Sequence, residues 1–97
     1  MPNDPQNCTQ QRRYLICGRV QRVGFRYATY RKANALGLSG YVRNLPDGRV
    51  EICVGGHEEG LGQLSAWLQV GPLLARVDKV TESPCHEVFK SGFTMSD

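Results

Sequence analysis

The stretch Gly18-Arg19-Val20-Gln21-Arg22-Val23-Gly24-Phe25-Arg26 decides how this chain is read. Ahead of it, residues 12–20 alternate. Tyr14, Ile16, Gly18 and Val20 fall on one face of a strand, and Leu15, Cys17 and Arg19 on the other. Both faces are partly apolar, which suits a strand inside a sheet. After the stretch the period changes. Phe25, Thr29, Ala33 and Leu36 form one stripe of a helix, and Gly37 is placed to end it with a left-handed cap. Residues 21–24 are then a strand-to-helix turn. The main-chain N–H groups at the start of a helix have no partner within it and carry a partial positive charge of about half a unit. Such a turn receives a phosphate or a carboxylate. Arg26, in the first helical turn, adds a planar fork able to grip two oxygens of one anion.

Working outward, Tyr41-Val42-Arg43-Asn44 reads as a strand, Leu45-Pro46-Asp47-Gly48 as a hairpin turn, and residues 49–55 as the return strand. On that return strand Val50, Ile52 and Val54 face one way and Arg49, Glu51 and Cys53 the other. Leu61, Leu64 and Leu68 mark a second helix with Glu58 and Glu59 in its first turn, and Gly71-Pro72 stops it. Residues 75–82 and 87–94 read as strands, the last at an edge. The order is β-α-β-β-α-β with a final strand. This is an α+β chain of the ferredoxin-like sandwich type, an antiparallel sheet with two helices on one face. Residues 1–11 read as a flexible polar tail and 12–97 as one domain.

The net charge of +3 hides an asymmetry. Residues 1–49 carry nine Lys/Arg and two Asp/Glu, net +7, whereas residues 50–97 carry three and seven, net −4. The positive half holds the turn and favours small anions. Nucleic acid is not expected, since no basic run is interleaved with aromatics. The RNA-reading version of this fold needs exposed strand aromatics that are missing here. No apolar run approaches the ~20 residues that cross a bilayer, and the N-terminus lacks the pattern of a secretory signal. The cysteines Cys8, Cys17, Cys53 and Cys85 form no C-x-x-C pair, which argues against a metal or redox site and for reduced thiols in the cytoplasm. A Cys17–Cys53 bridge is left open. Asn44, just before the Asp-Gly turn, either bonds its own main chain or holds a water through its carboxamide, and spacing leaves both open.

G-R-V-Q-R-V-G-F-R at 18–26, a helix ending in L-G-L-S-G at 36–40, and Y-V-R-N-L-P-D-G-R-V at 41–50 together resemble the acylphosphatase family. The likeness covers residues 14 to 55 with its two motifs. It runs more loosely through G-P-L-L-A-R-V at 71–77 to Phe93. It implies the ferredoxin-like sandwich and hydrolysis of the carboxyl-phosphate bond of acyl phosphates, with inorganic phosphate as product and neither cofactor nor metal. It also implies a monomer. On this resemblance Arg26 binds the phosphoryl group and Asn44 orients the attacking water. The N–H groups of Gln21, Arg22, Val23, Gly24 and Phe25, with Arg26, hold the phosphate oxygens. The chemistry suits so few groups. The leaving carboxylate, whose acid has a pKa of roughly 4–5, departs without a general acid, so positioning and charge stabilisation supply most of the rate. His57 and His86 are assigned no role. One departure stands out: Arg22 occupies a position where the family usually has Gly, and a positive φ there would strain the loop. The alternative reading is a non-catalytic module of the same fold that binds small anions or a partner.

Overall fold

The computed structural model describes residues 9–87, 89–90 and 92–96. The elements run β1 (Gln10–Arg19), α1 (Phe25–Ala35), β2 (Ser39–Asn44), β3 (Val50–Gly56), α2 (Glu58–Leu68), β4 (Arg76–Pro84) and β5 (Phe93–Met95). The sheet order is β4-β1-β3-β2-β5. Alternation on β1 sends Tyr14 and Ile16 to the helix side, where they meet Val42, Val50, Ile52 and Val54 of the neighbouring strands. Phe25, Thr29 and Ala33 of α1 and Leu61, Leu64 and Leu68 of α2 close that core, and all six are fully or almost fully buried. These are the stripes that helical spacing selects. Leu36, placed by the sequence at the end of the first stripe, packs against the core only partly buried.

Four details correct or complete the sequence reading. β1 begins at Gln10, so Gln10 and Gln11, assigned above to a tail, pair with Gly56 and Gly55. Residues 1–8 of that tail lie outside the described residues. The sheet is mixed, because β5 runs parallel to β2, with Gly40 opposite Phe93 and Val42 opposite Met95. The strand expected over 87–94 is replaced by the short β5. Within the expected span Val88 and Ser91 lie outside the described residues. Phe89, whose apolarity suggested a strand, instead sets its ring edge-on to Tyr41, with centroids 6.1 Å apart. Finally, β1 and β3 are neighbours, but their register puts Arg13 rather than Cys17 opposite Cys53. Both cysteines are free, Cys17 exposed and Cys53 buried. Burial, with the negative charge of Glu51, pushes the Cys53 thiol up to about 11, so it stays protonated at neutral pH.

The face of β3 away from the helices carries a buried charge. Glu51, only 3% exposed, accepts from Arg13 Nε at 2.6 Å and Arg43 Nε at 2.5 Å. Burial alone would raise its pKa, but the two guanidinium bonds outweigh it and hold the carboxyl below its usual value. Because the folded value lies below the unfolded one, this stabilisation is complete above about pH 4.5 and disappears as pH falls through the folded pKa. Thermal midpoints should therefore fall steeply with acidification below that pH. In Glu51→Gln the acid slope should flatten, and stability at neutral pH should drop by about 2 kcal/mol. An unchanged acid slope in that variant would exclude Glu51 as its source.

Candidate active site

β1 delivers the chain to the turn through an irregularity. The ladder with β4 shifts register between Cys17 and Gly18, where the backbones come so close that a Cβ on Gly18 would run into the Arg76 carbonyl. The turn that follows is tied to the β2–β3 hairpin by one side chain. Gln21 Nε2 donates to the carbonyls of Leu45 at 2.8 Å and Arg49 at 2.9 Å. The Leu45 N–H in turn donates to the Arg49 carbonyl at 2.8 Å. Asn44 immediately precedes Leu45, so Gln21 sets the spacing between the turn and the carboxamide.

Gly24 caps α1 in the left-handed region, at φ 79°, with no side-chain bond to the helix N-terminus and no acidic residue in the first turn. Its carbonyl accepts from the Ala28 N–H at 3.0 Å. The N–H groups ahead of Ala28 thus belong to the first turn, which has no intrahelical acceptors to offer them. α2 starts with Glu58 and Glu59 in its first turn instead. The two helices therefore present opposite conditions to an anion.

Beside the open end of α1 lies a hollow of about 260 Å³, lined by Val20, Arg22, Gly24, Phe25, Arg26, Tyr27, Asn44 and Met95. Arg26 enters it half-buried, and its Nη1 donates to the Ser96 carbonyl at 2.6 Å. The Ser96 N–H donates to the Val42 carbonyl at 2.8 Å, so Ser96 is fastened to β2 on one side and to Arg26 on the other. Asn44 presents a buried Oδ1 that has no hydrogen-bond partner among the described residues. A buried acceptor left without a partner costs about 1–3 kcal/mol, and in folded chains such atoms need an explanation.

Of the seven residues singled out from the sequence, Arg22, Gly24, Phe25, Arg26 and Asn44 meet at this hollow. Gln21 and Val23 do not line it. Gln21 spends its amide on the hairpin turn, and Val23 packs against the core. The Phe25 ring is likewise turned inward, 5.8 Å from the Trp67 ring, so only its main chain can face an anion. The sequence reading missed Val20, Tyr27, Met95 and the Ser96 carbonyl. A main-chain oxygen 70 residues from Arg26 carries no sequence signal, whereas Tyr27 could have been suspected from its place one residue beyond Arg26.

Arg22 is the only non-glycine among the described residues with positive φ, at 63°. The left-handed region costs an L-residue roughly 1–2 kcal/mol, part of which a glycine would return as unfolded-state entropy. Arg22→Gly should therefore gain about 1 kcal/mol, which corresponds to a rise of several degrees in Tm. Calorimetry on the two chains checks this, together with inhibition by inorganic phosphate. If neither stability nor phosphate affinity moves, the loop carries no strain at this position.

The acylphosphatase family model matches residues 12–95. The chain belongs to the acylphosphatase family. An acylphosphatase of Aliivibrio fischeri is 51% identical over 74 residues, covering 74% of this chain and 82% of its own length. One from Alkalilimnicola ehrlichii is 46% identical over 84 residues, 87% of this chain and 94% of its own. The solved acylphosphatase of Coxiella burnetii superposes with a TM-score of 0.89 at 30% identity, over 99% of this chain and 100% of that one. Acylphosphatase activity, hydrolysis of an acyl phosphate to carboxylate and phosphate, follows for this member of the family. Among the described residues no helix is long and apolar enough to cross a membrane. No group of three His, Cys, Asp or Glu among them is placed to hold a metal ion.

Proposed function

We propose that this acylphosphatase works by placing the phosphoryl group between the Arg26 guanidinium and the N–H groups of residues 21–26, while Asn44 Oδ1 accepts a proton of the attacking water. The observation that carries the reading is that Asn44, whose buried Oδ1 has no hydrogen-bond partner among the described residues, lines the same hollow as Arg26. An acceptor fixed there aligns a water oxygen toward phosphorus, and alignment is most of what this reaction needs. The departing carboxylate is already a weak base, and a phosphoryl oxygen takes the water's proton, so no His, Glu or metal is assigned a step. The same Oδ1 counts against the non-catalytic module, in which the Asn44 amide would be consumed by protein contacts. The three cysteines among the described residues are free, which supports a reducing compartment, and we assign the chain to the cytoplasm. A monomer is the working unit proposed here.

The reading is tested by turnover of a synthetic aroyl phosphate by the purified chain with EDTA present. Hydrolysis should be undiminished by the chelator and competitively inhibited by inorganic phosphate. Loss of activity on chelation would transfer the chemistry to a metal and remove this mechanism.

A further inference from the structure

We infer that Arg22 is a specificity-determining residue, a second cation at the rim of the hollow that selects acyl phosphates carrying another negative charge on the acyl group. The inference rests on the phosphoryl placement proposed above. Among the described residues the hollow is lined by two arginines and by no Asp or Glu. Arg26 is half-buried and anchored to the Ser96 carbonyl, which leaves it fixed at one depth. Arg22 is exposed at the same hollow, and the described residues give it no ion-pair partner, while Arg12, Arg13, Arg43, Arg49 and Arg76 all have one. Its backbone is held at φ 63°, where a side chain is costly to keep. Strain retained at a ligand-facing position is a reason to look for a use of the side chain. The cavity volume leaves room for that use. About 260 Å³ is roughly ninefold the ~30 Å³ share of one water, more than a phosphoryl group and a single water need. With phosphorus at Arg26, the remaining space and the mouth belong to the acyl group, and Arg22 is the charge that group meets.

The test compares two aroyl phosphates of matched shape, 4-carboxybenzoyl phosphate and 4-methylbenzoyl phosphate. The ratio of their kcat/KM values is measured in the native chain, Arg22→Gly and Arg22→Lys. In the native chain the carboxylated substrate should be preferred by about 10-fold at low salt, the scale of one partly exposed charge-assisted contact, and less as salt screens it. Arg22→Gly should bring the ratio close to one, with the change carried by KM, and Arg22→Lys should restore most of the preference. A ratio equal in the native chain and Arg22→Gly, with turnover intact, overturns the inference alone. So does a native preference for the methyl compound, which would give the acyl group to the Tyr27 and Met95 side chains instead. Absence of turnover of both substrates by the native chain overturns the underlying mechanism as well.

Discussion

Asn44→Ala is expected to lower kcat for a synthetic aroyl phosphate by ~10²–10³-fold while inhibition by inorganic phosphate stays as it was, the loss typical of removing one positioned polar group. The carboxamide is assigned to the water and not to phosphorus, so truncation should leave ground-state binding intact and act on the chemical step. The control is built into the fold. Asn44 Oδ1 is buried without a partner among the described residues, so its removal relieves a cost instead of breaking a bond. Thermal stability of the variant should equal or exceed that of the native chain. A kcat within twofold of native would take the water-holding role away from Asn44. A large loss of Tm alongside kcat would mean that the carboxamide holds the hairpin instead.

Arg26→Ala is expected to have the larger effect, a loss of about 10³-fold or more in kcat/KM, as when an arginine is withdrawn from a phosphoryl-transfer site. Here binding and rate should fall together. Inhibition by inorganic phosphate should weaken in parallel, which separates this variant from Asn44→Ala. Arg26→Lys should recover little. A lysine has one point of charge and lacks the planar fork that the proposed grip on two phosphoryl oxygens requires. Parity between the lysine variant and the native chain would show that charge alone matters and that the fork is irrelevant.

The parts of this site that rest on neighbours in sequence were legible before any coordinates. The Asp47-Gly48 pair announces its hairpin because Gly48 takes φ 97°, which few other residues adopt. The Phe25, Thr29 and Ala33 spacing announces α1 because burial follows the helical period. Long-range placement was not legible. The Arg13–Glu51–Arg43 cluster exists only through the register of three strands, and no pattern within any one of them reveals it. Phe89 is apolar because it covers the outer face at Tyr41, a use that imitates a strand in the sequence. The parallel pairing of β5 with β2 involves three residues on each side, too few to leave an alternation. Gln21 was expected beside the anion because of where it stands in the motif. Its side chain instead faces the hairpin, where its amide donates to the carbonyls of Leu45 and Arg49.

The Arg26–Ser96 bond joins the first turn of α1 to a residue 70 positions further along. A loop of that length must be closed, at an entropic cost, before the contact rewards it, so the bond is a non-local one of the kind that slows folding.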